Sequence, residues 1–267
     1  MHVKPYKTLM IVAVAITIAL VIYMIYRVYS PVEIHGETII SDNEVLLPLP
    51  AKTTTLSIEE AILYRRSIRE YTGEPITIKQ LSMILWSAQG ITNTKWRFRA
   101  APSAGATYPI EVYVVVGKNT VLIGNNTYLK PGIYKYNVYR HSLVLVKEGD
   151  YRRELMEAAL NQKWVGDAAV DIVLCAVYER TTSHYGERGI RYVHIEVGHI
   201  GENIYLMATA LGLGTVAVGA FHDDRVASII GAEQNEHPVY IMPVGVPVRP
   251  YRTSFEEINS FYKSMRG

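Results

Sequence analysis

An uninterrupted apolar run near the amino terminus is the feature that most constrains this chain. Residues 9–26 span 18 positions without a charged side chain, and only Thr17 interrupts the run before the tyrosines near its end. A helix of that length is about 27 Å long, close to the hydrocarbon thickness of a bilayer. Lys4 and Lys7 precede the run and Arg27 follows it. The pattern predicts an uncleaved single-pass membrane anchor within residues 1–30.

A cleaved signal peptide and a buried helix are the two alternatives for this run. A signal peptide has a shorter apolar region followed by small residues, whereas Arg27 and Tyr29 follow here. A buried helix would need a core on every side. Two lysines before the run and one arginine after it favour an extracytoplasmic main domain. The margin is one basic residue, so both orientations stay open.

The rest of the chain is nearly neutral. Residues 1–30 hold three basic and no acidic side chains, so the other 24 basic and 25 acidic side chains give a net charge of −1, against +2 for the whole chain. A nucleic-acid-binding domain is usually strongly basic, so no nucleic-acid partner is predicted. The single cysteine, Cys175, excludes an intrachain disulfide and a cysteine-rich metal site, and its apolar surroundings predict an inert core thiol.

The remaining pattern predicts an α+β domain that follows a tether. Residues 31–55 contain several prolines and little helical periodicity, which is typical of a tether, and residues 56–267 form the predicted domain. Capping boxes begin at Ser57 and Thr77. Further helices are predicted near residues 151–160 and 190–211, and strands near 111–117, 132–139, 142–147, 171–178, 214–219 and 239–245. Helices and strands mix without strict alternation, which favours α+β.

Two familiar catalytic arrangements are incomplete. His194 and His199 are five residues apart, about 140° around a helix, so they cannot share one face with Glu196 as metal ligands. Ser103 lacks the nucleophile elbow of a hydrolase, and no aspartate is placed to orient His199. Neither a metal site nor a serine hydrolase is predicted.

Three segments carry groups that suit a flat, phosphorylated ligand. Residues 65–71 hold three guanidiniums and a serine hydroxyl, which are good phosphate donors, although a solvated helix end has the same pattern. Residues 99–109 form a loop of small residues that a ring can approach closely, or an ordinary connection. Residues 198–214 and 216–221 combine small residues with an apolar helix, which also fits a packed central helix.

Taken in order, these segments resemble those of the nitroreductase family of flavoproteins, over about residues 57–252. Residues 101–109, 188–192 and 196–199 are similar to the thiazole/oxazole-forming (SagB-type) dehydrogenase branch. The resemblance implies an α+β homodimer with a central mixed β-sheet flanked by helices, and with FMN at the subunit interface.

The resemblance also implies which residues bind FMN. The phosphate- and ribityl-binding segment corresponds to Arg65, Arg66, Ser67 and Arg69. The loop that reaches the flavin from the second subunit corresponds to Pro102, Ser103, Ala104 and Gly105. The flavin-contacting asparagine and its neighbour correspond to Asn161 and Gln162. The turn whose backbone N–H points at flavin N5 corresponds to Val218 and Gly219, and the late basic residue to Arg249, or less well to Arg252.

The resemblance leaves three functions open. The first is an FMN-dependent dehydrogenase that oxidises an azoline ring, or a similar group, on a peptide or small molecule. The second is a nitro or quinone reductase that uses NAD(P)H as reductant. The third is a membrane-tethered binding protein that has lost the flavin. In both enzymes FMN itself carries the hydride chemistry.

No residue is fixed as the catalytic acid by the resemblance. Tyr185, Arg191 and His199 are candidates, and His199 also fits a hydrogen-bonded core histidine. Residues 93–99 depart from the family pattern because they are unusually basic and aromatic. Such a segment suits contact with a charged substrate or with the membrane surface.

Overall fold

The computed structural model describes residues 12, 14, 16–19, 33–35, 38–41 and 43–267. Most of the predicted anchor, residues 9–26, therefore lies outside the described residues. Within the part of the chain that is described, no helix combines the length and the apolar character needed to cross a bilayer. The anchor stays a prediction from the sequence.

A large sheet forms the centre of the domain. Its strands lie in the order β1-β2-β3-β9-β8-β5-β10-β12-β11. Their bounds are β1 Glu33–His35, β2 Thr38–Ile40, β3 Glu44–Leu46, β5 Ile110–Val116, β8 Gly132–Asn137, β9 Ser142–Glu148, β10 Val170–Ala176, β11 Gly214–Thr215 and β12 His237–Gly245. A small second sheet contains β4 Ile76–Thr77, β6 Val121–Gly124 and β7 Thr127–Tyr128.

The prediction of a mixed central sheet is wrong for the large sheet. Every described pair in it is antiparallel, and the parallel pair of β4 with β6 belongs to the small sheet. The mixed sheet came from the family resemblance, and the sequence of β10, which is buried on both faces, could not correct it. Such a strand has the continuous apolar run that is typical of parallel sheets, so its pattern does not reveal its direction.

Helices cover both faces of the large sheet. The described helices of more than one turn are α1 Ile58–Tyr64, α2 Ile78–Gln89, α3 Arg152–Ala158, α4 Lys163–Asp167, α5 Glu179–Tyr185, α6 Arg188–Ala210, α7 Asp223–Ile230 and α8 Phe255–Arg266. Both predicted capping boxes are confirmed: Ser57 caps α1 with Glu60, and Thr77 caps α2 with Gln80. The predicted long helix is α6.

The two faces of the sheet have separate apolar cores. Val114 and Ile172 face one core, which includes residues of α2 and α6. Tyr113 and Val173 face the other, which includes residues of α3, α4 and α7. This division follows the alternation of side chains along a strand. Cys175 lies in the second core, where burial raises the pKa of its thiol, as expected for an inert cysteine.

Several elements were not predicted. Strands β1 to β3 fall within the predicted tether and extend the edge of the large sheet. The short helices α4, α5 and α7 and the terminal helix α8 were also missed. The predicted strand at 214–219 contains only β11, after which Val218 forms an isolated bridge with Ile241. These elements are too short or too exposed for a periodic apolar pattern.

Asp171 is the charged side chain buried most completely in the sheet. It lies on β10 opposite Val115 and Pro243, it is fully buried, and neither carboxylate oxygen has a hydrogen-bond partner among the described residues. Burial raises the pKa of this carboxyl well above its ordinary value, although the charge of Arg152 opposes the effect.

Substitution Asp171→Asn should remove part of the pH dependence of stability. A folded-state pKa raised above the unfolded value of about 3.9 stabilises the fold at low pH, and this contribution is lost as the pH rises. The stability of the variant minus the stability of the native protein should therefore be at least about 1 kcal/mol greater at pH 8 than at pH 5. Urea unfolding at both pH values measures this difference. The exposed Glu154→Gln on α3 is the matched control, and equal behaviour of the two variants would contradict the prediction.

Candidate functional site

The arginine segment, residues 65–69, is held against the far edge of the large sheet. Ser67 forms a parallel bridge with Thr215 of β11, and the Ile68 N–H donates to the Thr215 carbonyl at 2.9 Å. Two residues beyond the segment, Tyr71 bridges Pro247 just after β12. The backbone that leaves α1 is therefore aligned with β11 and with the end of β12.

Tyr205 of α6 joins the arginine segment to the turn after β11. Its hydroxyl lies 3.0 Å from Ser67 Oγ and accepts the Ala217 N–H at 2.8 Å. Its ring lies under the guanidinium of Arg65, 5.3 Å from the ring centre. Sequence reasoning missed this residue because it stands within the apolar run of α6. A single hydroxyl in that run was the only available signal.

The guanidinium of Arg66 binds carbonyl groups at the end of α1. Its guanidinium donates to the carbonyls of Leu63 at 3.4 Å and of Arg65 at 2.6 Å, and it lies 3.8 Å from the centre of the Tyr251 ring. A cation in this position satisfies carbonyls that the helix leaves unpaired. Arg66 therefore stabilises the helix end, and its guanidinium is less available to a ligand than sequence reasoning implied.

Arg65 and Arg69 have weaker contacts within the chain. Arg65 is 3.8 Å from a carboxylate oxygen of the half-exposed Glu202. Arg69 is exposed and lies over the ring of Trp164 in α4, 5.3 Å from its centre. An exposed ion pair at that distance contributes little. These two guanidiniums can turn toward an anion.

The predicted asparagine and its neighbour have different environments. Gln162 donates its side-chain amide to the carbonyls of Ala159 at 2.9 Å and of Ala220 at 2.8 Å. Gln162 thus holds the turn after β11 in place. Asn161 is exposed, has a positive φ of 58°, and has no described partner for its side chain. Of the pair, Asn161 is the one that can contact a ligand.

Val218 and Gly219, in the turn after β11, differ in whether their backbone N–H is free. The Val218 N–H donates to the Ile241 carbonyl at 2.9 Å and is not available to a ligand. The resemblance assigns the N–H to the turn that holds Val218 and Gly219, and the isolated bridge to β12 uses the Val218 donor. Gly219 is exposed, and its N–H has no partner among the described residues.

The late basic residues lie near the arginine segment. The Val248 N–H donates to the Glu70 carbonyl at 3.0 Å, so the following residue, Arg249, emerges beside the segment and is exposed. Arg252 lies over the ring of Tyr64, 4.7 Å from its centre. Arg249 keeps the freer guanidinium, in agreement with the preference stated from the sequence.

The proline loop, residues 102–105, lies at the other end of α6. It runs into a short 3₁₀ turn at Ala104–Ala106, in which Gly105 has a φ of 60°. A Cβ atom at Gly105 would lie 2.8 Å from the Tyr185 hydroxyl. The backbone angle therefore favours glycine, and a larger residue would displace the Tyr185 side chain. Tyr185 is the catalytic candidate that the structure brings to the proline loop.

A buried polar network supports the proline loop. Ser103 Oγ accepts the Tyr108 N–H at 2.9 Å. Gln89 donates to Glu196 Oε1 at 3.3 Å, and Arg99 donates to Gln89 Oε1 at 3.2 Å. Burial raises the pKa of Glu196, while the nearby Ser103 and Gln89 side chains and the charge of Arg99 oppose this rise. Sequence reasoning considered Glu196 as a metal ligand and as part of the motif at residues 196–199, but not as part of a buried polar network.

The other two catalytic candidates lie on the exposed face of α6. Arg191 and His199 are both exposed, so the interpretation of His199 as a core histidine is wrong. His194 is also exposed and pairs with the Tyr178 hydroxyl at 2.8 Å. No group of three metal-ligating side chains is found among the described residues.

The structure divides the predicted site residues into two groups. One group lies at the arginine segment, next to Tyr205 of α6. The other lies at the proline loop, next to Glu196 of α6. These residues are nine positions apart on α6, which corresponds to about 14 Å along the helix and about 180° around it. The two groups therefore lie on opposite sides of α6 and do not converge within one chain.

A family model and individual known proteins both match most of this chain. The model of the nitroreductase family matches residues 62–246. A nitroreductase-like protein of Methanocaldococcus jannaschii is 46% identical over 190 residues, which are 71% of this chain and 91% of that protein. The NADPH-flavin oxidoreductase of Vibrio harveyi is 24% identical over 196 residues, 70% of this chain and 65% of that protein.

Two further similarities concern a peptide-processing protein and a crystal structure. The microcin B17-processing protein McbC of Escherichia coli is 27% identical over 202 residues, 72% of each chain. The crystal structure of a nitroreductase-like protein from Ralstonia eutropha has a TM-score of 0.66 at 25% identity, covering 82% of this chain and 95% of that one.

Substitution Tyr205→Phe should destabilise the domain by about 1–2 kcal/mol, because the Ala217 N–H and Ser67 Oγ lose their shared partner. The free energy of unfolding in urea measures this loss. Tyr128→Phe is the control, since no hydrogen bond of the Tyr128 hydroxyl is described. Equal stability of the two variants would show that the Tyr205 hydroxyl does not hold the turn.

Proposed function

The chain belongs to the nitroreductase family, and from this we propose that it is an FMN-dependent oxidoreductase. Members of the family are generally flavin-dependent oxidoreductases. FMN, when bound, accepts or donates a hydride at N5. The observation that carries the proposal is the convergence of free donors at the arginine segment and at the turn after β11.

The arginine segment fits the phosphate of FMN. Arg65 and Arg69 have guanidiniums without a hydrogen bond to the backbone, and Arg249 emerges beside them. The exposed Ser67 adds a hydroxyl donor. Charge-assisted hydrogen bonds of this kind are the strong ones in phosphate recognition. Arg66 contributes positive charge at the helix end but not a free donor.

The turn after β11 fits the flavin ring. Gly219 and Ala220 are small and exposed, so a flat ring can approach the backbone. The free Gly219 N–H is a fixed donor, which stabilises negative charge that develops on a nearby atom of the ligand. Gln162 keeps this turn in place through the Ala220 carbonyl.

We propose that two copies of the chain complete each site. The arginine segment and the proline loop lie on opposite sides of α6, so the loop of a second copy must supply the other wall. The exposed face of α6 carries the apolar side chains of Ile190 and Ile195, 45% and 49% exposed. Exposed apolar side chains on a helix face suit a homodimer contact.

The proposed reaction is the oxidation of an azoline ring, or a similar group, on a peptide or small molecule. This oxidation removes one hydride and one proton from the ring. The motifs in residues 101–109 and 188–199 and the similarity to McbC support this substrate class. The similarity to the NADPH-flavin oxidoreductase favours the second candidate, reduction of nitro or quinone compounds by NAD(P)H. Turnover of NADH or NADPH with menadione would support the second candidate, and its absence would count against it.

The purified protein should be yellow or should bind added FMN, with the visible spectrum as the measurement. Arg65→Ala and Arg69→Ala should each raise the dissociation constant of FMN by roughly 10- to 100-fold, since each loses a charge-assisted hydrogen bond worth about 1.5–3 kcal/mol. Arg153→Ala, at an exposed position of α3, is the control.

A colourless protein that does not bind FMN would overturn the proposal and favour the non-catalytic binding protein. Unchanged affinity in both arginine variants would remove these residues from the phosphate site.

The membrane location is proposed from the sequence alone. If residues 9–26 span a bilayer, the full chain should stay with the membrane fraction after an alkaline carbonate wash, because its apolar run is 18 residues long. A chain without residues 1–30 should move to the supernatant. Release of the full chain by the wash would contradict the anchor. A reporter at the carboxyl terminus identifies the side on which the domain lies, which the basic-residue count places outside.

A further inference from the structure

A pocket lies at the end of the large sheet where β5 begins. Its volume is about 350 Å³, and its walls include Arg99, Glu111 of β5, parts of β8 and β9, and the turn between those two strands. We name it the Arg99 pocket. We propose that the Arg99 pocket binds a carboxylate carried by an apolar residue of the substrate peptide, about three residues from the ring that is oxidised at the proline loop. The inference rests on the proposed function and names a feature of its substrate.

The pocket occupies part of one face of the large sheet. Lys135 of β8 is paired with Tyr113 and with Val144, so their side chains lie on the face of the second core. The helices α3, α4 and α7 pack on this face. Beside Lys135, the face carries Val144 and the exposed Val146, which line the pocket. These two valines give the Arg99 pocket an apolar floor.

The charged side chains of the pocket are paired with each other, except for Arg99. Glu111 lies 2.5 Å from a nitrogen of Arg180 and 3.9 Å from Lys135 Nζ. Lys135 also donates to the buried carboxylate of Glu236. Arg99 forms no ion pair with a carboxylate of the part of the chain that the structure describes. The pocket therefore offers one positive charge that a ligand can pair.

The guanidinium of Arg99 is held in place and keeps donors for a ligand. Nη1 donates to Gln89 Oε1 at 3.2 Å, and the guanidinium carbon lies 4.5 and 5.9 Å from the ring centres of Tyr108 and Tyr139. Ring contacts of this kind use the faces of the guanidinium and leave its N–H edges available. Nε is buried, and neither Nε nor Nη2 has an acceptor among the described residues. A carboxylate suits such a guanidinium because it can accept two parallel hydrogen bonds.

Arg99 is joined to the proline loop through Tyr108. The Arg99 N–H donates to the Tyr108 hydroxyl at 3.2 Å, and the Tyr108 N–H donates to Ser103 Oγ at 2.9 Å. Arg99 is three residues before Pro102, so their backbones are at most about 11 Å apart. An extended peptide covers that distance in about three residues. A ring at the proline loop and a carboxylate at Arg99 can therefore belong to one peptide.

The valine floor and the charge of Arg99 together define the ligand. A cavity of about 350 Å³ is at the small end of ligand pockets, which suits one residue of a peptide better than a folded partner. The apolar floor suits a side chain such as that of leucine, and Arg99 suits the carboxylate. The carboxylate can belong to the carboxyl terminus of the peptide or to an acidic side chain next to the apolar residue.

A purely structural role for Arg99 predicts different behaviour. If Arg99 only holds the amide of Gln89, the pocket should not distinguish a carboxylate from a neutral amide of the same shape. If Arg99 recognises the ligand, the carboxylate should bind more tightly, and the difference should depend on the guanidinium. Arg99 is therefore proposed to determine substrate specificity, and it takes no part in the chemistry.

The first experiment measures binding to the full-length protein and needs no flavin. Saturation-transfer NMR should detect binding of N-acetylleucine, and N-acetylleucinamide should bind at least about 10-fold more weakly because it lacks the charge. Arg99→Gln should weaken binding of the acid roughly 10- to 100-fold and leave binding of the amide unchanged. Arg153→Gln, at an exposed position of α3, is the control.

Two further measurements keep this test decisive. Val144→Phe fills the floor and leaves Arg99 intact, so it should also prevent binding of N-acetylleucine, even if Arg99→Gln does not fold. N-acetylglutamyl-leucinamide carries its carboxylate on a side chain, and the tighter of the two acids identifies the source of the carboxylate. Equal binding of acid and amide to the native protein would overturn the inference. Loss of binding in Arg97→Gln but not in Arg99→Gln would also overturn it, because the anion would then lie outside the pocket.

The second experiment uses the flavin-loaded protein and peptides that contain one thiazoline ring. A leucine followed by a glutamate is placed next to the ring, about three residues away, or about six residues away. The intermediate spacing should give the lowest KM, and Arg99→Gln should remove this preference through KM with little change in kcat. Equal KM values for the three peptides would overturn the proposed placement. Failure to bind FMN or to oxidise any of the peptides would instead count against the proposed function, and the binding measurements would still test the pocket.

Discussion

The organisation of the site depends on the packing of one long helix, α6, between the sheet and the elements that bear the functional groups. Tyr205 and Glu196 are both largely buried polar residues of this helix, and they point about 180° apart. Tyr205 hydrogen-bonds Ser67 and Ala217, and Glu196 accepts from Gln89, whose amide oxygen accepts from Arg99 just before the proline loop. Burial makes these hydrogen bonds expensive to lose, so α6 holds both the arginine segment and the segment that leads into the proline loop.

If the two groups of residues form one site, as proposed, this arrangement requires a second chain to complete it. A rigid helix cannot bring its opposite faces together, and the two segments are held to it by buried polar contacts. The arginine segment and the proline loop of one chain therefore stay apart as long as α6 remains packed. A two-fold axis across the exposed face of α6 would place the proline loop of one copy against the arginine segment of the other. Symmetry would produce two equal sites in the dimer.

Much of the fold was predictable because its main elements carry local signals. The capping boxes at Ser57 and Thr77 mark helix starts, and the apolar runs of β5 and β10 mark buried strands. Strand direction was not predictable, since a strand buried on both faces has no alternation to read. Strands β1 to β3 are three residues each and owe their structure to pairing at the sheet edge, which local sequence does not encode.

The resemblance proposes the site residues as a set, but it does not separate their individual contacts. A resemblance assigns Val218 and Gly219 together, while the bridge to Ile241 leaves only the Gly219 N–H free. It likewise assigns three arginines without distinguishing Arg66, which caps α1, from its neighbours. Tyr205 was missed because a single hydroxyl in an apolar run has no pattern of its own, and the motif around Glu196 did not reveal its contact with Gln89. Such roles depend on which partner already occupies a donor, and that is decided by tertiary contacts.

Because Arg66 binds carbonyls of α1, the other arginines must balance the negative charge of a phosphate at the arginine segment. A phosphate monoester carries about −1.5 to −2 near neutral pH. Arg65 and Arg69 together supply two positive charges, and Glu202 lies 3.8 Å from Arg65 and reduces its effect. Arg249 is therefore needed to bring the free positive charge above that of the phosphate. Three separate parts of the chain must meet for this balance, namely the end of α1, the face of α6 and the segment after β12. The proposed phosphate site is consequently a property of the folded domain rather than of the arginine-rich segment alone.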